Sequence, residues 1–190
     1  MKGVKSFKNM KYQGTTCDLR LAGLDDSKRI LELRLNRKLN KYLSNTSSNI
    51  DDQKKWLMAY KEREKLNIEF YFMINTKIGL SIGTIRIYNI DYDLKRFTIG
   101  SWIVDENDDP RIAIESILAA EKFAFTKLGL KENHFDVRKN NKLVVEFHKK
   151  RGAKIINEDE LNYYFVYHKV DFEKYVASIQ HFITLGQFIE

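Results

Sequence analysis

The chain has 190 residues, 43% of them hydrophobic and 31% charged, a profile that suits one well-buried globular domain and leaves too little length for two. No apolar run reaches the ~20 residues of a membrane-spanning helix, the basic start MKGVKSFKNMKYQG lacks the apolar stretch of a secretory signal, and the single cysteine, Cys17, argues against a disulfide or a thiolate metal cluster. A reducing cytoplasm is the expected compartment, with no metal, and the formal net charge of +7 favours anionic partners: nucleic acid, nucleotide-like cofactors or phosphorylated substrates.

Residues 1–14 read as a frayed basic arm. A short strand is expected at 18–21, then a weakly striped helix at 24–35 with Leu24, Ile30, Leu31 and Leu35 on one face. The polar run Ser44-Asn45-Thr46-Ser47-Ser48-Asn49 is loop chemistry that can open a helix cap. A helix follows at 51–65, where Trp56, Leu57 and Tyr60 share a face. Three strands then make an antiparallel meander. Ile68, Phe70, Phe72 and Ile74 alternate with Glu69, Tyr71 and Met73; 80–88 returns with a bulge expected at Gly83; and 96–104 alternates Phe97, Ile99 and Ile103.

The period changes after Pro110. Apolar or small side chains from Ile112 to Leu128 form a helical stripe that Gly129 ends. Phe135 and Val137 mark a short strand, 143–151 a helix stopped by Gly152, and 155–156 with 163–168 a hairpin. Residues 171–190 read as a terminal helix, apolar enough to pack on the domain or on a second subunit as a homodimer. The order gives one α/β (α+β) domain over 1–190, with a mixed, mostly antiparallel sheet and helices on both faces.

Two segments carry candidate chemistry. At 106–113 a strand runs out and a long helix begins, with Asp109 suited to the cap and Pro110 to the first helical position. The amides of Arg111, Ile112 and Ala113 would then leave the helix N-terminus without intrahelical partners, a setting that suits pyrophosphate. A plain capped helix with nothing bound explains the same residues. At 141–153, NKLVVEFHKKRGA, an asparagine opens a short basic helix and a glycine closes it. Alone, that is an amphipathic surface helix with Val144 and Phe147 in the core.

Together and in this order, the two segments resemble the GNAT superfamily of N-acetyltransferases. In that family a strand–loop–helix binds the CoA pyrophosphate, and a later helix of pattern N-x-x-A-x-x-x-Y-x-K-x-G-F lines the cofactor thiol. Asn141, Val144, His148, Lys150, Gly152 and Ala153 fall on those positions. The resemblance covers roughly residues 17–168 and implies a GNAT-like sheet and acetyl-CoA as cosubstrate. It places Arg111, Ile112 and Ala113 on the pyrophosphate and Asn141, Phe147 and Lys150 along the pantetheine. It also puts the backbone of Ile103 and Val104 beside that arm, at a splayed strand end. The chain departs from the family twice. Asp108, Arg111 and Ala113 stand at the marked positions of the phosphate loop R/Q-x-x-G-x-G/A, where only Ala113 keeps the type, and His148 stands where the family often has a tyrosine acid.

Attack of an amine on a thioester ends by expelling a thiolate, which leaves more easily when protonated. A histidine titrating near ~6.5 can donate that proton, so the resemblance makes His148 the catalytic candidate. Glu69, Asp136 or ordered water are candidates for a base. Within the superfamily the chain looks like the enzymes that acetylate amino groups of nucleotide-linked sugars for surface polysaccharides. Leu33-Arg34-Leu35-Asn36, Gln53-x-x-Trp56 and Phe147-His148-x-Lys150-x-Gly152-Ala153 carry that likeness. It implies Arg34 on a phosphate, Asn36 on a sugar hydroxyl and Trp102 on the acceptor side. Acetylation of protein N-termini, as in ribosomal-protein acetyltransferases, is the rival enzyme reading. A non-catalytic CoA-binding or nucleic-acid-binding module is the rival of another class, although no helix-turn-helix or aromatic–basic interleave supports nucleic acid.

Overall fold

In the computed structural model, which describes residues 6–105 and 109–189, residues 70–74 are buried one after another. An unbroken apolar strand must be covered on both faces. Strand β3 (Phe70–Thr76) is covered in this way. Phe70, Phe72 and Ile74 point into one core, and Tyr71 and Met73 point into another with Ala22, Ile30, Leu57 and Tyr60.

The second core lies under α1 (Ser27–Leu35) and α2 (Ile50–Lys65). Asn49 caps α2, its Oδ1 accepting from the Asp51 amide at 2.8 Å, as its place in the polar run led one to expect. The larger core lies under α3 (Arg111–Lys122), which continues as a π-helical turn to Lys127 before Gly129 at φ +72°. Phe123 sits at its centre, its ring 4.9–5.5 Å from those of Phe70, Phe72, Phe7 and Phe188. Each such aromatic pair adds about 0.5–1.5 kcal/mol beyond the area it buries.

The remaining strands are β1 (Lys11–Gln13), β2 (Cys17–Leu21), β4 (Ser81–Asp91), β5 (Arg96–Val104), β6 (Glu132–Arg138), β7 (Lys154–Glu158), β8 (Asn162–His168) and β9 (Gln187–Ile189). Helix α4 (Lys142–Lys150) follows β6 and α5 (Lys169–Ser178) follows β8. Among the described residues one nine-stranded sheet runs β7-β8-β6-β5-β4-β3-β2-β1-β9, antiparallel except for β5 beside β6. The mixed, mostly antiparallel sheet with helices on its faces is the expected architecture. Among the described residues no helix is long and apolar enough to cross a membrane.

Two expectations about the chain ends are corrected. From residue 6 the arm is part of the fold: Phe7, Met10 and Tyr12 are buried and Lys11–Gln13 pairs with β2. At the other end the helix stops at Ser178, and the chain returns to the sheet as β9 against β1. Glu115 of α3 fastens both ends. Its buried carboxylate accepts from the Tyr12 hydroxyl at 2.9 Å and the Thr15 amide at 2.8 Å, and the Tyr12 oxygen accepts from the Gly186 amide at 2.7 Å.

Two bulges set the sheet's phase. Beside Gly83 the pairing jumps from Ile74↔Gly83 to Asn75↔Ser81, leaving Ile82 over. A Cβ on Gly83 would collide with the Ile103 carbonyl oxygen, so only glycine permits this approach of β4 to β5. Further along, Arg86 faces Gly100 and Thr84 faces Ile103, so β5 carries one residue too many, and Ser101 there takes φ +48°. The alternation expected for Phe97, Ile99 and Ile103 breaks at this point. Ile103 shares Thr84's face, and Trp102 turns to the α3 side.

Candidate active site

Strands β5 and β6 pair only at Arg96↔Glu132 and Phe97↔Asn133, then part. The gap is a cleft of about 160 Å³ lined by Ile99, Trp102, Phe135, Asp136, Asn141 and His148 among others. Helix α4 follows β6 directly, so the split that opens the sheet also brings Asn141, Val144 and His148 to its mouth. Ile103 and Val104 pair with Thr84 and Gly83 of β4 on one side, and no β6 pairing covers their other edge. That leaves backbone donors and acceptors for an extended amide-bearing ligand.

His148 is 3% exposed, its ring 4.3 Å from Phe135, 5.2 Å from Phe147 and 5.9 Å from Phe165. Nδ1 has no hydrogen-bonding partner among the described residues. Burial among these rings, with the Arg151 charge nearby, holds its pKa well below the usual histidine value. The ring is therefore neutral at pH 7. A neutral imidazole can accept a proton but cannot deliver one as an imidazolium, the role expected of His148.

The helix N-terminus is already engaged. The Asp109 carboxylate accepts from the Arg111 amide at 3.0 Å and holds its guanidinium at 2.8 Å and 2.9 Å. Asp109 thus satisfies the Arg111 amide from one residue before the N-cap, which is Pro110 rather than Asp109, and it also occupies the clamp assigned to Arg111. Ile112 donates to the Asp109 carbonyl at 3.1 Å, so its amide is not free for a phosphate either. Asp108, the other marked position of the loop, lies outside the described residues.

A second cavity, about 300 Å³, opens on the α1–α2 side and is lined by Arg34, Thr46, Gln53, Trp56, Arg86 and Ser101 among others. Ser101 lines both cavities, so the bulge on β5 is where they meet. Arg34 donates to Thr46 Oγ1 at 2.6 Å and to the Ser44 carbonyl at 3.1 Å. Arg86 lies 4.1 Å from the Tyr88 ring centroid, with a distant pairing to Glu69 at 3.6 Å. The loop between α1 and α2 walls both cavities, Ser44 and Thr46 in one, Tyr42 and Leu43 in the other.

The structure gathers Arg34, Asn141 and His148 around these two adjoining spaces and moves other expected residues elsewhere. Asn36 ends α1, its Oδ1 accepting from the Lys38 amide, and it does not line the second cavity. Trp102 donates to Ser116 Oγ at 3.2 Å and packs near Phe147, on the α3 side of the cleft rather than in the arginine-lined cavity. Lys150 is exposed at the end of α4 and lines neither cavity. Of the candidate bases, Glu69 is buried against Arg63 and Arg86, away from both cavities, while Asp136 lines the cleft. Gln53 and Trp56, which the likeness singled out, both line the second cavity, whereas Arg86 and Ser101 beside them carry no sequence signal.

A family model for the acetyltransferase (GNAT) domain matches residues 18–154, and the chain belongs to that family. It is an N-acetyltransferase. Among solved structures, apo FdhC, described as a nucleotide-linked sugar GNAT, is 36% identical with a TM-score of 0.84 over 93% of this chain and 99% of that one. The Vibrio cholerae spermidine N-acetyltransferase in complex with CoA and spermine has 19% identity and a TM-score of 0.72 over 83% and 98% of the two chains. The Vibrio fischeri ribosomal-protein-S5-alanine acetyltransferase has 17% identity and a TM-score of 0.74 over 85% and 98%. These two share the fold. No curated protein matches significantly.

Proposed function

We propose that the protein transfers the acetyl group of acetyl-CoA to a primary amine on a nucleotide-linked sugar. The observation that carries this reading is the pair of cavities meeting at Ser101, one between the parted strands and one lined by Arg34 and Arg86. It is supported by the likeness to FdhC along nearly the whole chain. The donor fits the cleft: the uncovered edge of β5 at Ile103 and Val104 suits the amides of a pantetheine arm, and Asn141 lines the cleft while Phe147 packs behind it on Trp102 and His148. Two guanidiniums in the other cavity suit a diphosphate, for which arginine's fork of donors is matched. The same charges repel a polyamine.

Catalysis follows from the placement of His148. As the amine nitrogen bonds to the thioester carbon it gains positive charge, and its proton becomes strongly acidic. The neutral imidazole accepts that proton, and the C–S bond breaks with its electron pair remaining on sulfur. A thiol titrates near ~8.5, so the thiolate is a tolerable leaving group.

Arg34→Ala is expected to raise KM for a nucleotide-linked amino sugar about tenfold or more, with kcat and KM for acetyl-CoA changing less than about threefold. Steady-state kinetics with each substrate varied checks this, and an unchanged acceptor KM would remove Arg34 from the acceptor site. A clamp on the pyrophosphate requires Arg111 to release Asp109, and on that basis Arg111→Ala is expected to weaken binding of CoA by roughly fivefold and leave a pantetheine fragment lacking the nucleotide unaffected. Equal losses for both ligands in calorimetry would exclude the clamp.

A further inference from the structure

The two strands that part to form the cleft do not simply drift apart. Where a β6 peptide would next serve β5, the side chain of Asn133 takes its place. Asn133 Oδ1 accepts from the Ile99 amide at 3.1 Å, one step beyond the last backbone pair, Phe97↔Asn133. Its Nδ2 donates to Glu121 Oε1 at 3.1 Å. Glu121 in turn is paired through both carboxylate oxygens with Arg151, whose Nη1 lies 2.8 Å from Oε2. Asn133 and Glu121 are wholly buried and Arg151 is 2% exposed. The Arg151 guanidinium stacks 4.0 Å from the Tyr167 ring centroid and 5.3 Å from that of Phe147.

These contacts join α3, β6 and the end of α4 at the closed end of the cleft, which Asn133 itself lines. A buried ion pair seldom improves stability over apolar packing, because desolvation offsets much of the attraction. It does fix geometry, since each member has only one arrangement that satisfies it. We propose that Asn133 is a positioning residue: held by Glu121 and Arg151, it ends the β5–β6 ladder and sets the width of the cleft that receives the pantetheine arm. The inference rests on the reading of that cleft as the acetyl-CoA site. An apolar residue at 133 leaves the Ile99 amide without its partner and lets β6 close on β5. Arg151 lies three residues beyond His148, so the same network also fixes the helix that carries the proton acceptor.

The test is calorimetric titration of the full chain with CoA, alongside kinetics with both substrates. Asn133→Leu is expected to weaken CoA at least tenfold while KM for the acceptor stays within twofold. A merely structural role lowers the folded fraction, and so the number of sites, without moving either constant. Asn133→Asp is the second variant. Protonated, the acid is isosteric with the amide and can both accept from Ile99 and donate to Glu121; ionised, it faces Glu121 with like charge, with Arg151 the neighbouring cation. Its CoA affinity is expected to match the unsubstituted protein at acidic pH and to fall about fivefold or more as pH rises, relative to the unsubstituted protein at the same pH. Affinity that is unaltered in the leucine variant, or in the aspartate variant across the whole pH range, overturns the proposal. No CoA binding by the unsubstituted protein would instead overturn the reading of the cleft.

Discussion

Replacing His148 with alanine is expected to lower kcat by about 10²-fold or more while leaving CoA affinity within about threefold. The expectation comes from its position as a neutral ring lining the cleft, on the helix that borders the space proposed for acetyl-CoA. The sign of the pH dependence follows from the direction of its shift. Because burial and Arg151 hold its pKa well below the usual value, the ring is already a proton acceptor throughout the neutral range. It gains a proton, and ceases to accept one, only at distinctly acidic pH. The kcat profile should therefore show no histidine limb near ~6.5, and any rise of kcat/KM toward alkaline pH should follow the acceptor amine. Turnover unaltered in His148→Ala, measured well below the melting temperature, would remove it from the mechanism. A limb near neutrality that disappears in the variant would restore the acid role read from the sequence.

Arg151→Met is expected to have the largest effect on stability, about 3–5 kcal/mol, because it leaves the Glu121 carboxylate buried without its cation. For a chain of this size that is a fall in melting temperature of roughly 10 °C. Replacing Glu121 by leucine in the same chain removes the stranded charge, so the double variant is expected to recover at least half of the loss. Denaturant unfolding of the single and double variants checks both values. A single variant within about 1 kcal/mol of the unsubstituted protein would show that the pair is not the buried unit described here.

The sequence was most informative where periodicity is long. The stripe from Ile112 onward and the alternation around Phe70 each run for several residues, and both elements stand where the pattern put them. The chain ends were illegible for the opposite reason. Lys11–Gln13 and Gln187–Ile189 are three-residue strands that pair with each other across the length of the chain, and three residues carry no usable period. Trp102 stands on the α3 side because one extra residue at the β5 bulge reverses every side chain beyond it, and Ser101 gives no local sign of its positive φ.

The site was legible only in part. The Asn141-to-Ala153 spacing led to His148, but its neutral state depends on rings from β6 and β8 that are distant in sequence. Glu121 and Asn133 carry no sequence signal. Their roles come from partners that only the packed structure brings within reach.

The central claim is best tested by one screen. The protein is incubated with acetyl-CoA and, in separate reactions, nucleotide-linked amino sugars, basic peptides with free N-termini, or spermidine, and released CoA thiol is measured. The account predicts thiol release, matched by an acetylated product, with an amino-sugar nucleotide, and only background with the peptides and the polyamine. Product from a peptide or from spermidine, with none from any amino-sugar nucleotide, would contradict it.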